Sequence, residues 1–125
     1  MRRNREAPLS IEGKDFSDAE GNAVRFSVNV ADGKLQAITF RATSCATLIA
    51  YAEYIAETVP GQRVELAGAL TPRDLIDGLP GVPPLKRVRA ILAVTAFRAA
   101  LANISITIER ENSDEGRLHL RHVAP

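Results

Sequence analysis

The chain has one cysteine, Cys45, in 125 residues. A lone thiol excludes an intrachain disulfide framework, so nothing in the sequence demands an oxidising compartment. The usual catalytic patterns are missing: there is no phosphate-binding glycine loop, no dinucleotide fingerprint, no His-Glu-x-x-His and no Cys-x-x-Cys. Histidine is scarce and late, with His119 and His122 alone. A spacing of three in a strand puts those two on opposite faces, which argues against joint metal binding. The longest apolar run, residues 90–102, is broken by Thr95 and Arg98 and is too short to span a bilayer. No apolar run near Met1 reads as a secretory signal. A formal net charge of +1 gives no global footprint for nucleic acid. These absences lead to the expectation of a cytoplasmic protein with no nucleic-acid and no membrane partner.

What is present is the make-up of one ordinary globular domain, 46% apolar and 25% charged. Residues 1–18 read as an N-terminal arm with one short strand. Gly21-Asn22 marks a turn. Val24, Phe26, Val28 and Val30 alternate with polar residues, the period of a half-buried strand. Asp32-Gly33 follows as a hairpin turn, since both residues tolerate positive φ, and Leu35–Thr43 is the return strand. From Cys45 the period changes to that of a helix, with Ser44 as the expected N-cap and Pro60-Gly61 as the stop. Thr71-Pro72-Arg73-Asp74 has the form of a second helix start. The stiff segment Pro80–Pro84 then leads to a long helix expected over Leu85–Asn103. Residues 104–125 read as a second hairpin, an extension of the same domain. Strands first and helices after them make an α+β domain, an antiparallel sheet with helices packed on one face.

Two features carry chemistry. Cys45 lies where strand turns to helix, and a thiol at a helix N-terminus is favoured as thiolate. The same place also suits a small buried residue with no chemistry. Lys86, Arg87 and Arg89 fall in the first turns of the long helix, where cations oppose the dipole. They form a positive corner suited to an anion or an acidic partner, or else a solvated face. Pro83-Pro84 is either a device for starting the helix or an extended peptide offered to a partner's groove.

The order of these features resembles the IscU/NifU N-terminal family of iron–sulfur cluster scaffolds, from about Ala19 to Leu101. The segment running from Gly33 to Cys45 looks like the family's strand leading to its Gly-Cys-Gly turn. Val82-Pro83-Pro84-Leu85-Lys86 resembles the family's Leu-Pro-Pro-Val-Lys peptide, which an Hsp70-type chaperone recognises. Residues 91–101 look like its last helix. The resemblance implies a core domain over residues 19–103 and a cluster held by three cysteines with a nearby Asp. In register, Cys45 falls on the middle cysteine, Glu20 on the first, Asn22 on the Asp and Arg89 on the third, while Ser44 and Ala46 replace the flanking glycines. One thiolate of three remains, and a cation replaces another.

The resemblance therefore implies a divergent scaffold-like protein, accessory to iron–sulfur assembly or delivery, and not an enzyme. Cys45 is the expected metal ligand, with Glu20, Asn22 and Arg89 around it in a cofactor corner. An iron–sulfur cluster or iron is the implied ligand, weakened by the lost thiolates. The implied partners are an Hsp70-type chaperone on Val82–Lys86, a cysteine desulfurase and a second copy of the chain. The alternative is a non-catalytic binding or regulatory module that no longer binds a cluster.

Overall fold

The computed structural model describes residues 9–104. Its sheet is built on the central strand β3 (Ala23–Ala31). On one side β3 pairs antiparallel with β4 (Lys34–Ala42). On the other it pairs first with β1 (Leu9–Glu12) and then with β2 (Phe16–Ser17). The register shifts by one residue between these short strands: Glu12 faces Ser27, whereas Phe16 faces Val24. The expected N-terminal arm thus supplies an edge of the sheet from Leu9 onward.

The β3–β4 turn is the expected one. Asp32 and Gly33 both take positive φ, 55° and 76°, the twist that two-residue hairpins prefer. The alternation of β3 is followed without exception: Val24, Phe26, Val28 and Val30 are buried, and the residues between them half-buried. Facing them across the pair are Ala42, Phe40, Ile38 and Leu35. The Asn29/Val30 irregularity places Gln36 as the extra residue that keeps Leu35 on this face.

The helices cover that apolar face. Helix α1 (Ala46–Thr58) buries Leu48, Tyr51, Ala52 and Ile55. Cys45, not Ser44, occupies the N-cap position. A short helix α2 (Val64–Ala67) follows. Helix α3 (Pro72–Gly78) starts as expected: Thr71 accepts from the Asp74 amide, Asp74 accepts from the Thr71 amide, and Pro72 sits in the first turn.

The long helix begins later than expected. Pro84–Lys86 forms one 3₁₀ turn, and helix α4 runs over 89–104 within the described residues. The reason is local: Pro83 and Pro84 have no N–H, and the ensuing amides of Ala90 and Ile91 bond three residues back, to Arg87 and Val88. Ile104, expected to open a strand, is helical and buried. The rest of the expected hairpin, residues 105–125, lies outside the described residues, as do residues 1–8. Helix α4 buries Ala90, Ala93, Val94, Phe97, Ala100 and Leu101 while Ile91, Thr95 and Arg98 stay exposed. It is therefore a helix laid on the sheet, not one enclosed on all sides. The Phe97 ring meets Phe26 edge-on at 5.6 Å, and Phe26 leans on Phe40 at 6.0 Å.

Helix α4 reaches the sheet edge because residue 13 is glycine. A Cβ there would stand 3.0 Å from the Ala100 backbone. Asn103 adds a hydrogen bond to the Glu12 carbonyl at 2.9 Å. Gly13→Val is expected to push α4 away and destabilise the fold by about 1–3 kcal/mol, the usual range for overpacking. Urea unfolding measures this, and an unchanged midpoint would contradict the packing described.

Candidate functional site

Cys45, Asp18, Glu20 and Arg89 meet at one end of the sheet. The Thr43 hydroxyl accepts a hydrogen bond from the Ala23 amide at 3.0 Å, and the Thr43 amide donates to the Ala23 carbonyl at 2.9 Å. These bonds fasten the end of β4 to the start of β3. Cys45 is two residues beyond Thr43, and the 18–22 turn immediately precedes Ala23. The hairpin register therefore sets the thiol beside the turn.

The turn is organised by Asp18. Its Oδ1 accepts from the amides of Glu20 and Asn22, at 2.9 and 3.0 Å, and its Oδ2 accepts from Asn22 Nδ2 at 3.1 Å. Gly21 closes the turn with φ 86°, a conformation costly for other residues. Glu20 is thereby held with its carboxylate toward α4.

Arg89 arrives from the first turn of α4. Its side chain is only 9% exposed. One terminal nitrogen donates to Glu20 Oε1 at 2.5 Å, and the other lies 3.6 Å from Asp18 Oδ2. Nε is buried and has no hydrogen-bond partner. Two carboxylates thus compensate one guanidinium, so the positive corner suggested by the sequence has no free charge at Arg89. Arg87, also expected there, donates from Nε to the Val82 carbonyl at 3.3 Å.

Cys45 is partly exposed. Burial works to raise its thiol pKa, but the N–H groups of Leu48 and Thr47 and the Arg89 guanidinium outweigh burial and hold it below the ordinary value. No hydrogen bond from the thiol caps α1. The thiolate is favoured by the field of the first turn and of the arginine. The carboxyl of Asp18 is also held low, first by the Asn22 side chain, against some burial, and then by the Asn22 and Glu20 amides and Arg89.

Of the residues singled out in the sequence, Glu20, Cys45 and Arg89 come together. Asn22 stands behind them, bonded to Asp18. Asp18 was missed, although its place three residues before Gly21-Asn22 is where an Asx-type turn puts its anchoring carboxylate. Val82–Lys86 forms a separate surface: Pro83, Pro84 and Lys86 are exposed, and Leu85 is 92% exposed. Leu85 and Pro84 lie in the 3₁₀ turn rather than in an extended peptide. An open depression of about 400 Å³ lies on the helix-free face of the sheet, lined by Asp15, Ala23, Arg25, Arg41, Ala42 and Thr43. Arg25 and Arg41 face each other there, with Arg25 near Glu12 and Asp15 at 3.9 and 3.7 Å.

The donor set does not fit a cluster. Cys45 is the chain's one thiol, and among the described residues no three Cys, His, Asp or Glu side chains gather in a way that could hold a metal ion. Also among the described residues, no helix is long and apolar enough to cross a membrane.

A family model for the NifU-like N terminal domain matches residues 3–110. The chain belongs to this family. Over 90 residues it is 34% identical to the bifunctional protein NifU/MnmA of Rubrobacter xylanophilus, a match covering 70% of this chain and 18% of that protein. Over 84 residues it is 32% identical to the iron–sulfur cluster assembly scaffold protein IscU of Haemophilus influenzae, covering 66% of each. The chain thus spans under two thirds of the first relative's length and about two thirds of the second's. The fold matches the crystal structure of a hypothetical protein at 2.3 Å resolution, with TM-score 0.58 and 19% identity over 74% of this chain and 82% of that one. The α+β architecture expected of a NifU-like N-terminal domain is the one observed.

The low carboxyl pKa of Asp18 gives a pH dependence of known sign. A folded-state pKa below the unfolded value, about 3.9, contributes stability that is present above that value and lost as pH falls through the folded pKa. Asp18→Asn is therefore less stable than wild type at neutral pH, and the gap closes as the solution is acidified below about pH 4. Thermal unfolding from pH 3 to pH 7 checks this. A gap that is constant with pH would contradict the assignment.

Proposed function

We propose that this NifU-like domain acts in iron–sulfur cluster assembly as a divergent, accessory scaffold-like protein, assisting assembly or delivery rather than serving as a standard scaffold. It is not an enzyme on this reading. Family membership and the relative named as an assembly scaffold support the general role. The observation that carries the accessory part is the Arg89 guanidinium against Glu20, beside the chain's one thiol. A [2Fe–2S] cluster wants four thiolate or imidazole ligands, and this corner offers one.

The partners on this reading are an Hsp70-type chaperone and a cysteine desulfurase, met in the cytoplasm. The exposure of Pro83, Pro84, Leu85 and Lys86 supports a contact with the chaperone. The alternative, a non-catalytic binding or regulatory module on a scaffold fold that no longer binds a cluster, is favoured by the same loss of ligands.

Anaerobic reconstitution with iron and sulfide tests the reading. The expected product is colourless, with well under one iron per chain, and Cys45→Ser behaves the same. A stoichiometric coloured cluster lost in Cys45→Ser would make the chain a standard scaffold. Pull-down of an Hsp70-type chaperone tests the partner: binding that is lost in Pro83→Ala/Pro84→Ala is expected. No binding by wild type would favour the alternative module.

A further inference from the structure

We propose that the Arg89 guanidinium is the resident cation of the Asp18–Glu20–Cys45 corner, standing where a divalent metal would otherwise neutralise these groups, so that this corner is complete without metal and closed to it. This goes beyond the accessory reading and does not depend on it.

Three observations carry the inference. The first is charge. Two carboxylates reach the same guanidinium, at 2.5 and 3.6 Å, beside the chain's one thiol. The second is burial. A guanidinium that is 9% exposed has lost most of its hydration, and its Nε finds no partner in return. An apolar side chain of similar volume would fill position 89 without that desolvation cost, but it would leave both carboxylates without a counter-charge. Packing alone therefore gives no reason for an arginine here, whereas neutralising converging anions does. The third is permanence. Arginine does not lose its proton in proteins, so a metal ion approaching Cys45 always meets a like charge within a few ångströms. A histidine or lysine at 89 could yield its charge, but an arginine cannot.

Zinc ion is a convenient probe, because it accepts mixed thiolate and carboxylate ligands. Wild type is expected to melt at the same temperature in EDTA and in zinc. Arg89→Met removes the cation and leaves the Asp18 and Glu20 carboxylates without a counter-charge beside Cys45. It is expected to melt about 2–5 °C lower in EDTA, since the guanidinium is buried but its partner Glu20 is 67% exposed and screened by solvent. Zinc should restore part of that loss, since a ligand bound only by the folded state stabilises it. The restoration should vanish in Arg89→Met/Cys45→Ser. Wild type stabilised by zinc through Cys45 would overturn the proposal. So would an Arg89→Met variant that melts like wild type in EDTA, or one that melts low and ignores zinc. If Arg89→Met does not fold, Glu20→Cys decides. It sets a second thiol beside Cys45 with the guanidinium in place, and it should still ignore zinc; zinc binding by it would refute the idea.

Discussion

A guanidinium cannot be taken out of water near the positive end of a helix unless anions meet it there. Arg89 is in that position: it opens helix α4, is nine-tenths buried, and carries a charge that opposes the helix dipole. The compensating carboxylates come from the 18–22 turn, at the other end of the sequence. The ion pairs consequently hold the turn before β3 against the start of α4. The local order of the corner depends on this one side chain.

The rest of the fold brings the parts within reach. The β3–β4 hairpin fixes Cys45 relative to the 18–22 turn through Thr43 and Ala23. Gly13 lets α4 lie close to the sheet edge, and Phe97 against Phe26 sets its height above the sheet. The chemistry that results is self-contained. Electrostatic demand, which in a metal site is met by an exchangeable ion, is here met by a covalently attached one. The exposed Pro83–Lys86 turn sits only a few residues before Arg89. A partner held there would contact the same helix end without needing anything bound at Cys45.

Much of the fold was legible because the local signals were strong and agreed with one another. The alternation from Val24 to Val30, the Asp32-Gly33 turn and the Thr71–Asp74 capping box each follow from chemistry within a few residues, and each is observed. The errors arose where chain context outweighs local pattern. Helix α4 starts at 89 because two prolines remove donors and a 3₁₀ turn absorbs the change in direction. In the site, Glu20, Cys45 and Arg89 could be paired through the family register, but Asp18 could not, because its role lies in bonds to the turn backbone. The sequence also suggested a free positive corner. It could not show that Arg89 faces two carboxylates, since that pairing joins positions 69 residues apart.

The central claim is that an internal cation orders this corner in the absence of metal. Amide hydrogen exchange of Glu20 and Asn22, measured in EDTA, tests it most directly. Both amides donate to Asp18 Oδ1, and Asp18 in turn is steadied by Arg89. The account predicts that both are protected in the metal-free chain and lose protection in Arg89→Met. Exchange at the rate of an unstructured peptide in metal-free wild type, with protection appearing only when metal is added, would contradict it.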